Sequence, residues 1–133
     1  VPGEASVTVD VRSTTLPELQ RVDLALRALQ PATPGARLQL EGSVNRPPME
    51  QALCRDLGIR ALAVAKRMGV VVPGLTQVPG GSDGNFTAGA GVPTLDGLGA
   101  VGDNAHAEGE WVDVAAMAGR ARLLAGLIEE LLA

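Results

Sequence analysis

His106 is the only histidine of the chain, and it lies in a polar run, Gly102-Asp103-Asn104-Ala105-His106-Ala107-Glu108-Gly109-Glu110, between two apolar stretches. Loops at strand ends are where catalytic and binding residues concentrate. One histidine does not make a zinc site, which needs three or four protein ligands, so on its own it reads as a surface residue. Gly80-Gly81-Ser82-Asp83-Gly84-Asn85 is a second candidate. Its glycines permit close backbone approach, and the N–H groups of the helical turn they open could meet an anion or a carbonyl oxygen; a well-capped helix after a glycine turn is the plain alternative. Gly97-Leu98-Gly99-Ala100-Val101-Gly102 spells the dinucleotide fingerprint. The motif works only if a helix opens inside it and meets the pyrophosphate, and residues 103–109 carry no helical apolar pattern. Asn85-Phe86-Thr87 is a glycosylation sequon with no secretory signal to give it meaning.

These residues must be positioned by regular elements. Residues 5–12 alternate, with Ala5, Val7, Val9 and Val11 on one face and Ser6, Thr8, Asp10 and Arg12 on the other, which predicts a half-buried strand. Thr15-Leu16-Pro17-Glu18 predicts a capping box with Pro in the first turn, and Leu19, Val22, Leu26 and Leu29 continue a helix toward Pro31. Leu38, Leu40, Gly42 and Val44 alternate with polar neighbours in a second strand that Pro47-Pro48 stops. A helical pattern follows through Met49, Leu53, Leu57, Leu62, Ala65 and Met68, with Gly69 as C-cap and Gly58 as a possible break. Short strands are expected over 70–78, 92–95 and 111–114, and a short helix N-capped by Ser82. A C-terminal helix is expected to be lined by Met117, Ala121, Leu124, Ile128 and Leu131. The fold class is therefore α/β, with a boundary at 45–48 that separates a β-α-β unit (1–46) from a second α/β unit (47–133).

Composition narrows the function classes. The 133 residues are 46% hydrophobic and 20% charged, ordinary for a globular chain with a packed core. Eleven Lys and Arg stand against fifteen Asp and Glu, a formal charge of -4, without a basic run or aromatic stripe to follow a phosphate backbone, so no nucleic acid partner is expected. No apolar run approaches the roughly 20 residues that cross a bilayer, and no signal-peptide pattern opens the chain. A soluble, cytoplasmic protein is expected. Cys54 is single, so no intrachain disulfide forms, and its expected role is helix packing. The start at Val1-Pro2, without Met, suggests a truncated or processed product.

Taken together, the glycine turn at 80–88, the run Gly91-Val92-Pro93-Thr94-Leu95-Asp96-Gly97-Leu98-Gly99 and His106 resemble one family. It is the co-catalytic zinc metallopeptidase and deacylase family of glutamate carboxypeptidase, acetylornithine deacetylase, succinyl-diaminopimelate desuccinylase and aminoacylase. Val1-Pro2-Gly3-Glu4-Ala5 and Val9-Asp10-Val11-Arg12 resemble its paired lid strands, and Asn45-Arg46-Pro47-Pro48-Met49-Glu50 its lid exit. The resemblance implies part of an α+β lid (dimerisation) domain in 1–46 and the C-terminal part of an α/β zinc-peptidase catalytic domain in 47–133. It implies His106 as a zinc ligand, one of the set that holds two zinc ions in the complete enzyme. Arg12 and Arg46 would bind the substrate's free carboxylate, and the Gly81-Ser82-Asp83 turn would line the substrate pocket. A planar guanidinium suits a carboxylate bidentately, whereas the plain reading of Arg12 is a cross-strand ion pair on a solvent face.

The family's earlier histidine and aspartate ligands, its general-base glutamate and its lid histidine would all lie N-terminal to this chain, and no residue here matches them. No catalytic residue is assigned within it. The implied activity is zinc-dependent hydrolysis of an amide bond next to a free carboxylate, in an N-acyl amino acid or peptide, as in glutamate carboxypeptidase. The implied partners are the missing catalytic segment and a second copy through the lid, and the chain alone is expected to be inactive. Two alternatives stand: a noncatalytic binding or assembly fragment, since β-edges pair readily, and an N-deacylase of the acetylornithine or diaminopimelate type.

Overall fold

A computed structural model describes residues 3–133, so the Val1-Pro2 end of the expected lid-strand segment lies outside the described residues. The elements run α1 (Leu16–Arg27), α2 (Gln51–Met68), α3 (Gly84–Gly89), β1 (Gly102–Asp103), β2 (Trp111–Val112) and α4 (Val114–Leu132). The architecture is mixed helix with a small antiparallel sheet, in which Gly102 faces Val112 and Asp103 faces Trp111.

The core is the seam between α2 and α4. Ala61, Val64 and Ala65 of α2 bury against Leu123 and Leu127 of α4, with Val70, Val72, Leu95 and Leu98 packed around them. Small residues set the approach: a Cβ on Gly126 would stand 2.8 Å from Met68 Sδ and 3.1 Å from Val64 Cγ1. An Arg67–Glu130 ion pair spans the same two helices. At its start α4 is capped by Asp113, whose carboxylate accepts from the N–H groups of Ala115 (2.9 Å) and Ala116 (3.2 Å), the usual way of satisfying orphan N–H groups.

Several expectations change in the folded chain. The contact face of α4 carries Leu123 and Leu127, whereas Met117, Leu124, Ile128 and Leu131 of the expected line remain exposed. This helix is apolar on two sides, and the side with Gly119 and Gly126 lets α2 come closest. Gly58 does not break α2; it is buried within the helix, where a Cβ would meet Leu75 Cδ1 at 2.6 Å. Gly69 closes α2 in the left-handed conformation, φ 65, as expected. The capping box of α1 does not form: Thr15 makes no side-chain cap, Glu18 pairs with Arg21 instead, and the Leu16 N–H donates to Glu50 Oε1 at 2.8 Å. The Glu50 carboxylate, just before α2, thus satisfies a first-turn N–H of α1. The helix also stops at Arg27, a turn before Pro31.

The alternating segments 5–12 and 37–45, together with 70–78 and 92–95, form no ladder among the described residues; of the expected strands only the first half of 111–114, Trp111–Val112, does. A ladder needs a neighbouring strand to take its N–H and C=O groups, and these segments have none beside them. Their apolar faces stay open, with Val7 85% and Val9 61% exposed. The total accessible surface is 10405 Å² for 13.6 kDa, against about 6,600 Å² for a compact chain of that mass.

Candidate functional site

The segment 46–49 leaves the alternating region and presses into the glycine turn. The approach is close: a Cβ at Gly81 would lie 2.8 Å from Arg46 Nη1 and one at Gly84 2.6 Å from Met49 Cε, both flexible ends that could move, whereas one at Gly89 would lie 2.2 Å from Pro47 Cγ. A rigid proline leaves no room for adjustment at Gly89. Arg46 thus lies directly on the Gly81 backbone, with its guanidinium carbon 5.0 Å from the centre of the Phe86 ring, within cation–π reach. Among the described residues Arg46 has no carboxylate partner, while Arg12, Arg21, Arg27 and Arg67 each have one.

Ser82 opens α3, although the helix is capped one residue later than expected, at Asp83. Ser82 Oγ still accepts from the Gly84 N–H at 3.1 Å, and the Ser82 N–H donates to Asn85 Oδ1 at 2.8 Å. Asn85 Nδ2 in turn donates to the Pro47 carbonyl at 2.9 Å. With six residues, α3 is too short for a developed dipole, so the turn acts through close packing and side chains rather than as an anion-binding helix end.

Arg12 reaches the residue before the same turn. Its Nη1 donates to the Pro79 carbonyl at 2.8 Å, while Nε and Nη2 donate to Asp10 Oδ2 at 3.0 and 2.7 Å. The Arg12 guanidinium holds the Asp10 carboxyl below its ordinary value, and the pair raises Arg12 in return. Arg12 is ion-paired within its own segment and straps residues 10–12 to the entrance of the glycine turn.

His106 occupies the tip of the β1–β2 hairpin. Asn104 and His106 both take left-handed backbone, φ 58 and 67, a conformation that costs non-glycine residues about 1–3 kcal/mol and gathers at functional sites. The turn is pinned by the Ala107 N–H on Asn104 O (2.9 Å), the Glu110 N–H on Ala107 O (3.2 Å) and the Asn104 N–H on Asp103 Oδ1 (2.7 Å). At the base, a Cβ on Gly102 would fall 2.1 Å from the Trp111 carbonyl oxygen, so only glycine permits this pairing. The dinucleotide reading fails as its missing helix predicted, because β1 rather than a helix follows the motif. Its loop is held instead by Arg120 of α4, which donates to Gly99 O at 2.8 Å and Gly97 O at 2.5 Å.

Among the described residues no three His, Cys, Asp or Glu side chains gather to hold a metal, so this chain does not by itself fit a zinc ion. His106 supplies one ligand's worth of chemistry, and no hydrogen bond or ion pair joins it to the Arg46 cluster among those residues. Cys54 packs in α2 with its thiol on Glu50 O, and burial pushes its pKa up, as befits a packing residue. Two shallow grooves of about 270 and 230 Å³ run along the hinge, walled in part by Thr14 and Gln77, and by Leu16 and Gly91. None of the expected site residues lines either. Sequence reasoning places Asn85 in the glycine turn and Asn85-Phe86 in a sequon without giving either a site role, and passes over Arg120. The signal for Asn85 was an Asn three residues after Ser82 in a glycine turn, where its amide can hydrogen-bond local backbone; for Arg120 there was none.

The chain matches one protein family over residues 5–130, that of peptidase family M20/M25/M40. No curated protein matches, and no solved structure does.

Proposed function

The chain belongs to peptidase family M20/M25/M40 and is thus part of a hydrolase; from that premise we propose that it is the C-terminal part of a zinc-dependent enzyme cleaving an amide bond next to a free carboxylate, as in glutamate carboxypeptidase. One observation carries the substrate reading: Arg46, stacked on Phe86 and laid on Gly81, is a positioned guanidinium without an anion. A planar fork in that setting takes a carboxylate through two parallel hydrogen bonds. Arg12, ion-paired with Asp10, reaches the Pro79 carbonyl at the entrance of the turn, and in this reading Gly81, Ser82 and Asp83 line the substrate site.

Zinc, when bound, supplies activated water and a polarised carbonyl. His106 would be one of its ligands, held outward by the strained hairpin tip, and the others, with the general base, would come from a segment outside this chain. Residues 1–46 act in this reading as lid and 47–133 as catalytic-domain remainder, and the lid pairs with a second copy. An N-deacylase of the acetylornithine or diaminopimelate type would use the same carboxylate contact. The large open apolar surface favours a second reading, a noncatalytic assembly module, because unpaired strand segments seek partners.

The test is Arg46→Ala in the assembled enzyme, assayed on an N-acyl amino acid and on its carboxamide. Loss of a charged hydrogen bond of about 1.5–3 kcal/mol should lower kcat/KM for the acid by roughly 10–150-fold. The carboxamide should be nearly insensitive. Equal losses on both substrates would refute the carboxylate assignment.

A further inference from the structure

We propose that Asn85 is the positioning residue of the carboxylate contact at Arg46, a single amide that sets the spacing between Arg46 and the Gly81-Ser82 turn. The inference rests on the reading of Arg46 as the carboxylate-binding group. Asn85 is part-buried and uses both ends of its amide: Oδ1 accepts from the Ser82 N–H at 2.8 Å, and Nδ2 donates to Pro47 O at 2.9 Å. Pro47 follows Arg46 in the chain, and Ser82 follows Gly81. The Arg46-Pro47 and Gly81-Ser82 segments are therefore joined through one side chain.

Amide chemistry is required for this. A carboxylate offers only acceptors and a hydroxyl is too short to reach both ways, whereas Asn presents an acceptor and a donor on opposite branches of one plane. The next residue, Phe86, carries the ring under the Arg46 guanidinium. Asn85 thus fixes the backbone that bears Arg46, Phe86 fixes its head, and Gly89 seats the Pro47 ring between them.

The experiment compares Asn85→Ala and Asn85→Asp with Arg46→Ala in the assembled enzyme, on the acid substrate and its carboxamide. Asn85→Ala should raise KM for the acid about tenfold, the scale of one lost hydrogen bond at a binding group, with kcat changed by less than about twofold and the carboxamide KM unchanged. Asn85→Asp keeps the acceptor for Ser82 but faces the Pro47 carbonyl with a carboxylate, so it should show the same acid-selective rise. If Asn85→Ala does not assemble, Asn85→Asp alone decides. An acid-to-carboxamide preference that survives both Asn85 variants, while Arg46→Ala abolishes it, overturns the positioning role. If Arg46→Ala leaves the preference intact as well, the carboxylate reading itself has failed, and the Asn85 proposal falls with it.

Discussion

Two arginines that the sequence presents alike have different fates in the fold. Arg46 rests on an aromatic ring and a glycine backbone, while Arg12 spends three donors on Asp10 and the Pro79 carbonyl. The types were legible from the sequence, but their partners were not, because an i,i+2 pair such as Asp10–Arg12 and a contact across 67 residues leave no periodic trace. Asp10 gives this a measurable form. Its carboxyl is depressed by the Arg12 hydrogen bond and charge, so whatever the pair contributes is present above the ordinary Asp value, about 3.9, and is lost as pH falls through the lower folded value. The pair should remain intact from neutral pH to about pH 4. Carbon-detected titration of Asp10 should give a midpoint below that of a free aspartate, and Arg12→Ala should move it upward. An unchanged midpoint in the variant would show that the strap does not persist in solution. Both groups are exposed, so no large stability effect accompanies the shift.

At the scale of elements, the helices were readable and most strands were not. The 3.6-residue pattern and the Gly69 stop placed α2, and apolar spacing placed α4, because helical hydrogen bonds close within the segment. The alternating patterns at 5–12 and 37–45 are genuine strand signals, but a strand is completed only by its neighbour. Where a partner lies close in sequence, as in β1 and β2, pairing occurs. The capping box at Thr15 fails because Glu18 is taken by Arg21, while the Glu50 carboxylate satisfies the separate Leu16 N–H. The hairpin supplies a sharp test of how His106 is presented. Gly102→Ala would drive a Cβ into the Trp111 carbonyl oxygen, which belongs to backbone and cannot swing aside. The β1–β2 pairing should open, and residues 103–110 should become much more sensitive to limited proteolysis, while the α2–α4 seam retains its helical circular dichroism. Unchanged protection of the loop would show that the hairpin is not what holds His106.

The whole molecule exposes far more surface than its mass calls for, 10405 Å² against about 6,600 Å². Among the described residues seven apolar side chains are buried, while others such as Val71, at 93% exposure, stand in the open. No helix among the described residues is long and apolar enough to cross a membrane, so these faces do not form a spanning helix. In the proposed reading these faces meet further protein. A catalytic zinc takes about three protein ligands, and among the described residues no such group assembles. The most direct measurement is hydrolysis of an N-acyl amino acid by the purified chain, alone and mixed with a segment carrying the remaining zinc ligands and the general-base glutamate, with zinc content read in parallel. The account predicts no turnover and no stoichiometric zinc for the chain alone, and activity with bound zinc for the mixture. Activity and zinc in that mixture should fall together in His106→Ala. Turnover by the purified chain alone, or a reconstituted enzyme whose rate and zinc content ignore His106→Ala, would contradict it.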